Sequence, residues 1–159
     1  MKGNEIIVRR AKPKDIPHMV ELWKDYMEFH RNVDALYTST EDAPQKWVIW
    51  AAECIASKES CVLVAESGGR LVGLSLAEIT QRPPVMRKQR YGAIVDFAVS
   101  EHFHRKRIGT RLFEDTKQWF HNHGIDRIEL RVLSGNPAAL AFWRQMGFKT
   151  YIEVQYLDL

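Results

Sequence analysis

The chain has 159 residues, 45% apolar and 27% charged, which fits one globular domain with a sizeable core and excludes a disordered or collagen-like chain. Lysine and arginine outnumber aspartate and glutamate by only 23 to 20, too mild an excess for a dedicated nucleic-acid domain. No apolar run approaches the ~20 residues of a membrane span, the first ten residues lack the apolar stretch of a secretory signal, and Cys54 and Cys61 form no disulfide framework. A cytoplasmic protein without membrane contact is expected. Glu5 to Arg10 is β-branched and reads as a strand. Asp15 and Pro17 then open an amphipathic helix to about Phe29, with Ile16, Met19, Val20, Trp23, Tyr26 and Met27 at spacings of three and four. Residues 30–43 read as a loop, and Pro44 to Ala56 as a second helix.

Cys61 to Ala65, the turn Ser67-Gly68-Gly69 and Leu71 to Ile79 read as a hairpin. Gln81 to Arg90, with Pro83-Pro84, reads as an exposed loop, and Tyr91 to Val99 as the next strand. A helix from about Arg105 to His121 ends at Gly124. Ile125 to Leu133 reads as a strand, and Asn136-Pro137 starts a last helix that Gly147 stops. Phe148 to Leu157 is strand-like. No linker or repeat interrupts this order, so residues 1–159 read as one α/β domain. The expected architecture is a mixed sheet, part antiparallel and part parallel, flanked by about four helices.

The most informative segment runs from Asp96 to Thr110: a strand, a short basic loop, then a helix. Free N–H groups at a helix start, with flanking Arg and Lys, favour a phosphate-bearing ligand. Gly109 offers close approach to the backbone. Neither a P-loop nor a Gly-x-Gly-x-x-Gly fingerprint is present. The same basic run also reads as a solvated helix start with no ligand. The second segment, Asn136 to Phe148, is an apolar helix with small residues on one side, which fits either core packing or a thin ligand channel.

Together the two segments resemble the GNAT family of N-acetyltransferases. The family's Arg/Gln-x-x-Gly-x-Gly/Ala falls on His104 to Gly109, and its Asn-x-x-Ala-x-x-Phe-Tyr-x-x-x-Gly-Phe falls on Asn136, Ala139, Phe142, Trp143, Gly147 and Phe148. The resemblance implies acetyl-CoA as co-substrate. His121 and His123 sit two apart, not at metal-ligand helical spacing, and no metal is expected. By it, His104, Arg105, Lys106, Arg107, Ile108, Gly109 and Thr110 hold the pyrophosphate. Phe97, Ala98 and Val99 pair with the pantetheine arm, an N–H near Val99 polarises the thioester carbonyl, and Asn136, Ala139, Phe142 and Trp143 complete the donor site. The partner implied is an amine on a small molecule or protein, and a homodimer is implied as well. No Cys or Ser is placed as a covalent relay, so direct transfer in a ternary complex is expected.

The chain departs from the family pattern at three places. His104 and Arg107 replace an Arg/Gln and a Gly, and Trp143 replaces the Tyr that often protonates the departing thiolate; an indole N–H is no acid at neutral pH. The carboxylates placed for the amine proton are Asp96 and Glu78; Asp96 reads rather more readily as a residue that orients the strand or a loop, and a water chain to backbone carbonyls is a third route. The acceptor wall is assigned to Tyr26, His30, Tyr37 and Tyr91, with Trp23 read as core. Arg82, Arg87, Lys88 and Arg90 read as a solvated loop, or else as a bias toward acidic acceptors. A catalytically degenerate CoA-binding or sensing module is the competing reading.

Overall fold

The computed structural model describes residues 5–104 and 106–159. The elements run β1 (Ile6–Arg10), α1 (Ile16–Val33), α2 (Ala43–Ala56), β2 (Ser60–Ser67), β3 (Arg70–Gln81), β4 (Arg90–Val99), α3 (Ile108–Asn122), β5 (Ile128–Leu130) and α4 (Pro137–Gln145). One five-stranded sheet forms in chain order, β1-β2-β3-β4-β5. The first four strands are antiparallel, and β5 joins β4 in parallel through α3.

Alternation along the strands builds two cores. Val62 and Val64 of β2, with Leu74 and Leu76 of β3, face Met19, Trp23, Trp47 and Ala51 of α1 and α2. Cys61, Leu63 and Ala77 face Leu112, Phe113 and Phe120 of α3 and Trp143 of α4. The two cysteines are buried on opposite faces. Gly68 and Gly69 take positive φ values of 57° and 78° at the β2–β3 turn, where a tight hairpin requires them. Asn136 accepts the Ala139 N–H at 3.1 Å and caps α4.

Three expectations change. Helix α1 runs to Val33, not Phe29; its last turn packs on Gly135, where a Cβ would lie 2.8 Å from Val33 Cγ1. The strand expected over 125–133 is confined to Ile128–Leu130. Residues 148–157 form no strand. Tyr151 is tied by its hydroxyl to Glu129 at 2.8 Å, while Ile152, Val154, Tyr156 and Leu157 are exposed. Strand composition specifies a strand only beside a partner edge, and no partner meets this segment among the described residues.

Candidate active site

The site is organised by one extra residue in β4. Leu76 of β3 opposes Asp96, but Ala77 opposes Ile94, so Val95 is bulged out of register. A bulge inverts the alternation beyond it. Ile94 packs on the α3 side, whereas Asp96, two residues later, turns to the α1/α2 side and accepts the Trp47 indole N–H at 2.8 Å.

The same inversion acts on the backbone. Before the bulge, the Gly92 N–H reaches toward β5, donating to the Arg127 carbonyl. Beyond Ile94, β4 has no pairing with β5. The Ser100 N–H donates to Val72 on the β3 side, so by alternation the amides of Phe97 and Val99 face the open fork. The Val99 carbonyl faces it too and accepts His104 Nε2–H at 2.9 Å.

Helix α3 begins beside this fork. Arg107 sits at its N-cap with φ 59°, the one positive-φ residue other than glycine among the described residues. A left-handed turn ahead of a helix lines consecutive N–H groups into an anion cradle. That backbone shape is the reason a glycine suits the position. Lys106 places its ammonium 4.6 Å from the centre of the Phe103 ring. Arg105 lies outside the described residues. A Cβ on Gly109 would lie 3.2 Å from Phe142 Cζ, so its missing side chain also makes room for α4. Phe142 and Phe97 rings lie 5.9 Å apart. Trp143 is 8% exposed, within an aromatic cluster with Phe97, Phe113 and Phe148, so its indole serves packing.

On the other face, Asp96 is 9% exposed. Burial pushes its carboxyl above the usual carboxylate range, with Glu78 adding to the shift, while the Trp47 hydrogen bond and the charge of His30 oppose it. The Tyr26 phenol is likewise raised by burial and then by Asp96. His30 Nδ1 bonds the Tyr26 carbonyl at 2.7 Å. Its ring lies 4.1 Å from the Tyr26 ring and 5.5 Å from that of Tyr37. Glu78 accepts the Cys54 thiol at 3.4 Å, and burial with this contact raises that thiol to about 12. An open cleft of about 340 Å³, lined in part by Trp23, Met27 and Tyr37, adjoins the cluster.

Tyr26, His30, Tyr37 and Asp96 are therefore brought together, and Glu78 joins them on the same face of the sheet. Tyr91 is not part of this cluster: it lies under the Arg82 guanidinium, 4.2 Å from its ring centre. Arg82 pairs with Glu129, Lys88 with Asp126 at 2.6 Å and Arg90 with Glu59 at 3.1 Å. Those cations are committed within the protein, which favours the structural reading of their loop over a bias toward acidic acceptors. The sequence reading missed Trp47 and Cys54, the partners of the two carboxylates. Trp47 looks like one more apolar position on a helix stripe, and no local signal marks its indole N–H as a donor.

The acetyltransferase (GNAT) family model matches residues 17–148. The chain belongs to the GNAT acetyltransferase family. Mouse N-acetyltransferase family 8 member 3 is 30% identical over 105 residues, 66% of this chain and 46% of that protein. The chain thus spans about half the length of the curated mammalian relatives it matches. A mutant of the BH1408 protein from Bacillus halodurans superposes with a TM-score of 0.85 at 25% identity, covering 96% of this chain and 99% of that one. The aminoglycoside N-acetyltransferase AAC(6')-Iy, solved in complex with CoA, superposes at 0.77 with 14% identity over 99% of this chain and 97% of that one, a likeness of fold. As a GNAT domain, the chain carries the family's forked sheet with Asp96 on one face and the α3 cradle beside the fork. Among the described residues no helix is long and apolar enough to cross a membrane.

Proposed function

We propose that this GNAT domain transfers an acetyl group from acetyl-CoA to a primary amine, by direct attack in a ternary complex. The observation that carries the reading is the open edge of β4 beside the left-handed start of α3. The amides from Arg107 to Thr110, with Lys106 and the Arg107 guanidinium, suit a pyrophosphate. His104 holds the Val99 carbonyl and leaves the neighbouring amides to the donor. The amides of Phe97 and Val99 suit the pantetheine arm and the thioester oxygen, where a donor aimed at developing negative charge lowers the barrier. Ala139 and Phe142 of α4 flank the arm. Asn136 spends its Oδ1 on the α4 cap, which leaves its NH₂ to donate.

The acceptor amine enters from the α1/α2 face, past Tyr26, His30 and Tyr37, with the charge of Asp96 beneath them and Glu78 beside it. The amine nitrogen attacks the acetyl carbonyl carbon, and the C–S bond breaks. With Trp143 buried among aromatic rings, the departing thiolate takes its proton from the attacking amine or from water. That same burial favours a second reading, a CoA-binding module without turnover.

Calorimetry with acetyl-CoA, beside CoA lacking its 3′-phosphate, combined with CoA release over an amine panel, separates the readings. Binding with amine-dependent CoA release is the expected result. Binding without release from any amine favours the sensing module, and no binding at millimolar acetyl-CoA ends both.

A further inference from the structure

We infer that His30 is the group that takes the proton from the acceptor ammonium, with Asp96 as the positioning charge beneath it; this rests on the transferase reading above. A backbone carbonyl can only accept a hydrogen bond, so the 2.7 Å contact between His30 Nδ1 and the Tyr26 carbonyl places the ring proton on Nδ1. Nε2 is then left with its lone pair free to receive a proton. The ring is held on several sides, 4.1 Å from Tyr26, 5.5 Å from Tyr37 and 5.7 Å from Phe29 between centroids. Imidazole is also the side chain that ordinarily changes charge closest to neutral pH.

Position supports the role. Val33, three residues further along α1, touches Gly135 next to Asn136, so the last turn of α1 crosses toward the open end of the fork. His30 stands on that turn, on the side from which an amine approaches. The carboxylates are less available. Asp96 is nearly sealed, with Oδ2 committed to Trp47, and Glu78 holds Cys54.

The titratable and charged groups around His30 are Tyr26, Glu28, Arg31 and Asp34 of α1 and its end, Tyr37 of the following turn, Glu78 of β3 and Asp96 of β4. Glu28 and Arg31 pair with each other on the exposed side of α1.

The step balances as follows. His30 Nε2 takes one proton from R–NH₃⁺ and later returns it to water. The free amine forms the new C–N bond as the C–S bond breaks. The second amine proton goes to the thiolate, giving the amide and CoA–SH.

The test uses the full chain with acetyl-CoA and four amine probes: a peptide with a free N-terminus, a lysine-bearing peptide, spermidine and sisomicin. CoA release is followed from pH 5.5 to 9. In His30→Gln, kcat/KM should fall about 10²–10⁴-fold, the usual contribution of a general base, with acetyl-CoA affinity unchanged and the acid limb of the profile lost. His30→Asn can keep the bond to the Tyr26 carbonyl while removing the base, and should fall equally, which separates chemistry from folding. Asp96→Asn should lower kcat with acetyl-CoA affinity unchanged. Wild-type rates and an unchanged profile in both His30 variants overturn the assignment while leaving the transferase reading standing. Wild-type protein that binds acetyl-CoA and acetylates no probe overturns the transferase reading itself, and this assignment with it.

Discussion

The two faces of the sheet are built by different means. On the α3/α4 face, the groups proposed to face the donor are mainly backbone amides, positioned by a left-handed residue, an open strand edge and glycines that admit close packing. On the α1/α2 face, they are side chains from separate segments: Tyr26 and His30 from α1, Tyr37 from the following turn and Asp96 from β4. A backbone site depends on chain geometry and tolerates changes of side chain. A side-chain site depends on which residues the fold brings together, and those can vary without disturbing the sheet. The difference fits a domain that keeps one donor and varies its acceptor.

Substitutions can break or sharpen this contrast. The largest expected effect is on the α3 side. A Cβ on Gly92 would lie 2.5 Å from the ring of Phe120, which is fully buried. Gly92→Ala should therefore destabilise the fold by about 3 kcal/mol, measured by urea unfolding. A loss below about 0.5 kcal/mol would show that this backbone has slack. Next is Asp96→Asn, which keeps an acceptor for Trp47 and removes the charge. Burial raises the Asp96 carboxyl, whereas in the unfolded chain it ionises near ~3.9. The ionised form therefore costs the folded state nothing below about pH 4 and increasingly more as pH rises through the folded value. The variant should match wild type in stability at pH 4 and exceed it at pH 8, while acetyl transfer falls less than in the His30 variants. Equal stability at both pH values would mean that Asp96 is better solvated than its burial suggests. The smallest effect is at Arg107. Arg107→Gly relieves a left-handed side chain and should stabilise by about 1 kcal/mol, with acetyl-CoA affinity falling as the guanidinium is lost. Calorimetry and thermal unfolding on the same sample read both.

The donor side was the more legible in sequence. Its marks are local: Asn136-Pro137 as a cap, Gly147 as a stop, and the basic run ahead of Gly109. Even so, the reason for Gly109 was not legible, because its partner Phe142 lies on another helix. The acceptor side was legible only in part. Tyr26 and His30 share a helix face through their spacing of four, but the face on which Asp96 emerges depends on a bulge that no residue type announces. Trp47 and Cys54 look apolar until the carboxylates they hold are seen. The segment after Gly147 misled because β-branched alternation records a preference for strand and says nothing of whether an edge is there to meet it.

The bulge at Val95 makes β4 a counting device. Residues on either side of it can be exchanged, within the limits of packing, and each still points to its own side. Val95 itself is 41% exposed, so its identity is loosely constrained. Pairing Val95 in register with β3, instead of bulging it, would send Asp96 into the apolar layer under α3 and turn Phe97 toward Trp47, exchanging the contents of the two compartments. In this strand, register carries information that residue type does not.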